Sequence, residues 1–173
     1  ALQPHQEGAL LYICRNRENA PDNETARLLL ESLAEGERFA AAQTAESGKL
    51  KAVAVALPEN DGRDALEKAA AEAAVWAQKQ ENLHIGLNGF DPNQASEAAE
   101  IFALAFGQAA YRFNRFKKDA KAAKLNGVTF LTEHADAVQT ALNWAEAQLY
   151  GINLCKDLGN TAPNVCTPKY LAD

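Results

Sequence analysis

The chain has 173 residues, of which 47% are hydrophobic and 23% charged, and it carries a net charge of −6 at pH 7. This length allows one globular domain with a complete core. The acidic balance argues against a general attraction to nucleic acid or anionic membranes, and no apolar run approaches the roughly 20 residues of a membrane-spanning helix. The three cysteines, Cys14, Cys155 and Cys166, form no Cys-x-x-Cys pair, which favours a reducing cytoplasm over a disulfide framework.

Short, nearly continuous apolar runs predict strands that are covered on both faces of a sheet. Each run is bounded by turn residues. The predicted strands are Ala9–Cys14, Ala52–Leu57, Leu83–Leu87 and Gly127–Leu131. A weaker run, Arg38–Thr44, predicts an edge strand, and the polar stretch Thr44–Lys51 predicts a loop or a frayed helix end.

Four helical patterns lie between and after these runs. Asp22 or Asn23 is expected to cap the first, Asp64 the second, and Asp91 followed by Pro92 to open the third. The fourth begins near 133–136. The expected core-facing residues are Ala26, Leu29, Leu30 and Leu33, then Leu66, Ala69, Ala73 and Trp76, then Phe102, Phe106, Ala109 and Phe113, and finally Val138, Leu142, Ala145, Leu149, Ile152, Cys155 and Leu158. A further alanine-rich stretch, 120–123, also has high helix propensity, although the basic stretch Phe116–Asn126 that contains it predicts a loop or a frayed helix end.

The alternation of strands and helices predicts an α/β fold, a three-layer α/β/α sandwich. The chain shows no pattern typical of a catalytic or metal centre. Its histidines lie in different elements, and the spacing Glu81-x-x-His84 occurs once, which cannot make a two-metal site. A nucleophile elbow and a glycine-rich phosphate loop are both missing from the sequence, and no thiol has an identifiable base. We therefore predict no catalytic, cofactor-binding or metal-binding residue in this chain.

A basic segment, Tyr111–Lys124, departs from the acidic average. It carries six cations and one anion, so its net charge is +5 and the other 159 residues carry −11. Aromatic residues interleaved with cations can contact nucleic acid or an acidic partner. The alternative, which we favour, is that Phe113 and Phe116 anchor a solvated helix end. The candidate contact residues are Arg112, Arg115, Lys117, Lys118, Lys121 and Lys124.

The last stretch, Asp157–Ala172, has the pattern Asp-Leu-x-Asn-x-x-Pro-Asn-x-x-Thr-Pro-x-x-Leu-Ala. This pattern resembles the junction between the two domains of leucyl aminopeptidases. A second stretch, Gly107–Lys117, is similar to the Tyr-Arg-Phe-x-x-Phe/Tyr-Lys sequence that closes a helix in the N-terminal domain of that family. Before about Gln94 the chain matches the family in element order alone.

The residues of this junction independently predict a stiff elbow. Pro163 and Pro168 fix φ and prevent a helix from continuing across the loop. Thr167 is a natural N-cap with Pro168 at the first helical position. A stiff elbow would hold two domains at one angle, as a closed oligomer requires.

The resemblance implies a macro-domain-like sandwich with a mixed, mostly parallel sheet. It divides the chain into an α/β N-terminal domain (1–132), a long linking helix (133–159), and a junction loop with the start of a catalytic domain (160–173). The chain begins without Met and ends as an element starts, and we expect it to be a fragment.

The resemblance also implies a function for the full-length parent. Such an enzyme removes N-terminal amino acids, often leucine, from peptides with two divalent metals, zinc or manganese, that activate water and polarise the scissile carbonyl. It is a cytoplasmic homohexamer without membrane contact. The family's metal-binding and catalytic motifs, Asp-Ser-Gly-Gly and Asn-Thr-Asp-Ala-Glu-Gly-Arg, do not occur here. We therefore expect this chain alone to be inactive and free of cofactor, with its own C-terminal catalytic domain as partner and a role in assembly and regulation.

Two further hypotheses stay open. The alternating strands suit a free-standing macro-type module that binds an ADP-ribose-like ligand, although the lack of a glycine-rich phosphate loop counts against it. The basic segment suits DNA binding in a regulatory role, which the resemblance implies for some bacterial members.

Overall fold

The structure, a computed structural model, describes residues 8–46, 49–58 and 62–172. Its elements alternate between strands and helices, as the sequence predicts. In chain order they are β1 (Ala9–Cys14), α1 (Glu24–Ser32), β2 (Phe39–Glu46), β3 (Lys49–Ala56), α2 (Arg63–Ala77), β4 (Asn82–Asn88), α3 (Pro92–Ala110), β5 (Gly127–Leu131), α4 (Ala135–Asn160) and α5 (Pro168–Ala172).

The strands form one sheet in the order β2-β3-β1-β4-β5. The central strand β1 pairs in parallel with β3 and β4, so that Leu11 lies level with Ala54 on one side and Ile85 on the other. β4 pairs in parallel with β5, whereas β2 runs antiparallel to β3. The mixed, mostly parallel sheet confirms the predicted fold class.

Helices cover both faces of the sheet, because alternate residues of the buried strands point to opposite sides. Leu11 and Ile13 pack against α2 and α3, whose buried side chains include Leu66 and Phe102. Leu10 and Tyr12 pack on the other face against α1, whose buried side chains are Ala26 and Leu30. These are the three predicted layers.

The long helix α4 lies outside them, packed on α3. Gly107 permits this close approach, because a Cβ atom at that position would lie 2.4 Å from Cδ1 of Leu149.

Two helices are capped as predicted and one is not. The Asn23 side chain accepts a hydrogen bond from the Ala26 amide at 2.9 Å. Asp91 forms a full capping box with Gln94 at the start of α3. The expectation that Asp64 caps α2 is wrong. Gly62 occupies the N-cap without a side-chain bond, and Asp64 lies in the first turn, where its charge favours the positive end of the helix dipole.

Three other predictions about local structure are wrong. α3 ends at Ala110, so Phe113 lies beyond the helix and packs edge-on against Phe116, with ring centroids 5.8 Å apart. The helix predicted for 120–123 is absent, because a short alanine run without a cap or a packing face cannot nucleate a helix. Residues 116–126 form turns and irregular structure, which agrees with the loop predicted for this basic stretch. Most of Thr44–Lys51 belongs to the β2–β3 hairpin, in which those two residues pair directly. Positions 47–48 lie outside the described residues.

Candidate functional site

The outward side of α4 carries an unusual amount of apolar surface. Its fully buried residues, Val138, Ala141 and Ala145, all lie in the first half of the helix. The exposed fractions are 66% for Trp144 and 75% for Tyr150. A surface of this kind on a small protein commonly marks an interaction site.

These exposed residues share one side of the helix, because positions three, four and seven apart lie close together on its surface. We call this surface the open face of α4. It consists of Trp144, Ala147, Tyr150, Gly151, Leu154 and Cys155, all of which are exposed. The face is continuous over about three turns of helix.

The open face includes Cys155, which the sequence analysis placed in the core. That prediction is wrong, because Cys155 is exposed. α4 has 26 residues and α3 has 19, and Tyr111, just past the end of α3, already contacts Asp157. The two helices therefore stay side by side almost to the end of α4. Cys155 is exposed because a spacing of three residues falls short of a full helical turn, so successive steps from Leu149 through Ile152 to Cys155 move away from the side that faces α3.

A second candidate site is a cavity of about 560 Å³ at one end of the sheet. It lies at the carboxyl ends of β1, β4 and β5, beside the point where the chain connections change direction across the sheet, which is a common place for ligands in α/β folds. The start of α4, which has no side-chain cap, also faces it. Six of its lining residues are Tyr12, Asp22, Asn88, Gly89, Glu133 and His134.

The charges and hydrogen bonds of this cavity limit what it can hold. Asp22 and Glu133 contribute carboxylates to its lining, and neither Lys nor Arg lines it in the described residues. Nε2 of His134 lies 3.1 Å from the carbonyl oxygen of Phe90. Because a carbonyl oxygen can only accept, Nε2 is the donor of this hydrogen bond. The negative lining disfavours phosphate-bearing ligands and suits neutral or cationic groups.

The structure places the candidate basic residues in two groups. Arg112 and Arg115 contact the chain itself. Arg112 donates hydrogen bonds to the carbonyl oxygens of Ala109 and Tyr111, and to Oε1 of Gln78 at 3.2 Å. Arg115 donates to the Tyr170 hydroxyl, which is the main cause that raises the pKa of this guanidinium.

The other four cations, Lys117, Lys118, Lys121 and Lys124, are exposed in the irregular segment between α3 and β5. Lys124 also lines a smaller cavity of about 360 Å³ together with Lys51 and Glu81. Binding of nucleic acid by these residues stays a prediction.

A metal centre requires several donor side chains that converge on one point. Within residues 8–46, 49–58 and 62–172, no group of three or more His, Cys, Asp or Glu side chains is arranged to hold a metal ion. In the same part of the chain, no helix combines the length and apolar character needed to cross a membrane.

Comparison with known proteins shows the relationship directly, although no protein-family model matches the chain. The chain is 51% identical over 171 residues to a probable cytosol aminopeptidase of Neisseria meningitidis serogroup A, a match that covers 99% of this chain and 36% of that protein. It is 46% identical over 71 residues to a protein with the same description from Nitrosomonas europaea. That shorter match covers 38% of this chain and 14% of the relative.

Solved structures show the same fold. A tomato leucine aminopeptidase variant matches with a TM-score of 0.69 at 17% identity, covering 99% of this chain and 39% of that one. The bottromycin maturation enzyme BotP, in complex with Mn, matches with a TM-score of 0.61 at 20% identity, covering 95% and 34%. The chain thus spans about a third of the length of these proteins. It belongs to the leucyl (cytosol) aminopeptidase family and is homologous to the N-terminal part of its members.

Proposed function

We propose that this chain is the non-catalytic N-terminal part of a leucyl aminopeptidase, and that the open face of α4 packs against the rest of that enzyme. The observation that carries the proposal is the exposure of Trp144, Tyr150 and Leu154 on one side of α4. A long helix with an apolar side that its own domain leaves uncovered is typical of a piece that completes its core elsewhere.

The length of the relatives favours the rest of the same polypeptide over a second copy as the occupant. About two thirds of the Neisseria protein lies outside the match. A segment joined to the same chain meets the face at a high effective concentration, which a separate copy lacks.

The parent enzyme removes N-terminal residues from peptides with two divalent metals, zinc or manganese. We propose that those metals are held by the part of the enzyme outside this chain, because the family's metal-binding motifs do not occur in this sequence. We further propose that the parent is a cytoplasmic homohexamer and that this chain contributes to its assembly and regulation. The relatives' description as cytosol aminopeptidases supports the location.

An activity assay tests the non-catalytic role. The 173-residue chain and the longer parent are each incubated with a leucine anilide and Mn²⁺. The parent is expected to release the aniline, and the 173-residue chain is expected to show no turnover above buffer. Turnover by the purified 173-residue chain that a chelator abolishes would overturn the proposal.

A free-standing module that binds an ADP-ribose-like ligand is the second candidate, and the cavity beside β1 and β4 favours it. The carboxylates of Asp22 and Glu133 count against it, because a diphosphate would meet two like charges. Calorimetry with ADP-ribose decides between the candidates. We expect no binding up to millimolar ligand, whereas micromolar binding that is altered in Glu133→Gln would establish the second function.

DNA contact by the basic segment is a separate proposal, supported by the exposure of Lys117, Lys118, Lys121 and Lys124. Replacing all four with Gln is expected to weaken binding to a DNA duplex at low salt and to flatten its salt dependence, because fewer counterions are released. A gel shift that shows no complex for the unaltered chain at low salt would remove this role.

A further inference from the structure

We propose that the segment Tyr111–Phe116 is a clasp that fixes the direction in which the chain leaves α4, with Tyr111 and Arg115 as its positioning residues. The clasp joins three elements at the amino-terminal edge of the sheet: the end of α3, the end of α4, and α5. Its consequence for an enzyme rests on the proposed function, but the contacts themselves do not.

Tyr111 ties the end of α3 to the last turns of α4. Its hydroxyl donates a hydrogen bond to Oδ1 of Asp157 at 2.7 Å and accepts one from Nδ2 of Asn160 at 3.3 Å. Nζ of Lys156 lies 5.1 Å from the centre of its ring. One side chain therefore contacts three residues of α4 within its final two turns.

Arg115 ties the same segment to α5. Its guanidinium carbon lies 5.4 Å from the ring centre of Tyr170 and 5.6 Å from that of Phe116, within the range of cation–π attraction. The guanidinium also donates a hydrogen bond to the Tyr170 hydroxyl. A planar cation that contacts two rings and also donates a directed hydrogen bond restricts orientation as well as distance.

The junction between α4 and α5 is held by its own hydrogen bonds, so contacts to α5 also restrict the path of the junction. Thr161 is buried, and its hydroxyl donates to the carbonyl oxygen of Asp157 at 2.6 Å. The carbonyl oxygen of Ala162 accepts from the amides of Val165 and Cys166, each at 2.9 Å. Thr167 then caps α5, since its side chain accepts from the Tyr170 amide at 3.3 Å.

The reason that α5 needs an anchor is its size. It has five residues and none of them is buried. A single helical turn is unstable in water without outside contacts. The contact between Arg115 and Tyr170 is thus what we expect to hold α5 in place, and with it the path of any chain that follows.

Amide hydrogen exchange in the 173-residue chain tests the clasp without reference to enzyme activity. In Arg115→Ala, the amides of Val165, Cys166 and Leu171 are expected to exchange about tenfold faster, since two cation–π contacts and one charge-assisted hydrogen bond are lost. Amides of β1 are expected to keep their rates. Unchanged rates at 165–171, or an equal increase throughout the chain, would overturn the proposal.

Three companion variants sharpen the result. Tyr170→Ala removes the same contact from an exposed position and should reproduce the increase, which guards against misfolding of the first variant. Lys118→Ala, at an exposed cation of the same segment, should leave the rates of 165–171 unchanged. Arg115→Lys keeps the charge but not the planar group and should resemble Arg115→Ala; wild-type rates in Arg115→Lys would show that charge alone suffices and that the stacked geometry has no role.

The outcome is independent of the proposed function. If the longer parent proved not to be an aminopeptidase, faster exchange at 165–171 in Arg115→Ala would still support the clasp. If the exchange rates did not change, the clasp would be wrong, and activity of the parent on a leucine anilide would still support the proposed function.

Discussion

The two sides of α4 have different surroundings. Val138, Ala141 and Ala145 are buried on the side that packs against α3. Trp144, Tyr150, Leu154 and Cys155 are exposed on the open face. The difference shows that apolar residues on a helix are not all buried by the domain to which the helix belongs.

Charge on the two sides of α4 should give the largest contrast. Ala145→Glu places a carboxylate where the exposed fraction is 1%, so we expect a loss of about 3 kcal/mol or more in the free energy of unfolding. Ala147→Glu, two residues along on the open face, should change it by less than about 0.5 kcal/mol. Urea unfolding of both variants measures the contrast, and equal losses would show that the open face is as well packed as the side that faces α3.

The cysteines give a second contrast, between the core and the open face. Burial raises the pKa of the Cys14 thiol from 9.0 to about 12. The folded state therefore holds this proton more tightly than the unfolded chain does, and the resulting stability is complete below pH 9 and lost as the pH rises towards 12. The expected slope is about 1.4 kcal/mol per pH unit in that window.

Unfolding measured at pH 8 and at pH 10.5 tests this slope. Cys14→Ala should lose it, whereas Cys155→Ala, at an exposed thiol, should keep it. The same alkaline slope in wild type and Cys14→Ala would mean that Cys14 does not titrate with unfolding.

The smallest contrast concerns two helical glycines. In the described part of the chain, no atom lies within 4 Å of a Cβ placed on Gly151, so Gly151→Ala should add about 0.5–1 kcal/mol through helix propensity. Gly107→Ala should not show this gain, because Leu149 must move away from the new methyl group. Thermal unfolding compares the two variants. An equal gain in stability would show that α3 and α4 are not in close contact at Gly107.

Much of the sheet could be predicted because most of its strands are short, nearly continuous apolar runs. β1 and β5 have the predicted boundaries, although β5 is a partly buried edge strand, and β4 is one residue longer at each end. The β2–β3 hairpin is longer than predicted, since Gln43, Thr44 and Lys51 are partly solvated and interrupt the apolar pattern. Polar residues of this kind, and not the edge position alone, weaken the pattern of a strand.

The candidate site was harder to predict, because its features depend on contacts between distant residues. A run of cations indicates a solvated or nucleic-acid-binding surface, and nothing in the run shows that Arg115 meets Tyr170, 55 positions away. Similarly, Phe113 continues the helical spacing, but α3 stops at Ala110 and the Arg112 guanidinium hydrogen-bonds the carbonyl oxygen of Ala109. Cys155 matched the apolar spacing of the core residues, but it lies on the exposed side of α4.

The labelling rate of Cys155 measures directly whether the rest of the enzyme covers the open face of α4. The thiol is measured by site-resolved mass spectrometry with a small alkylating reagent, in the 173-residue chain and in the longer parent. If the rest of the enzyme covers the open face of α4, labelling should slow by about tenfold or more, because the reagent then reaches the thiol only when the covering segment opens locally. Equal rates in the two proteins would contradict this proposal, since the open face of α4 would then be exposed to water in both.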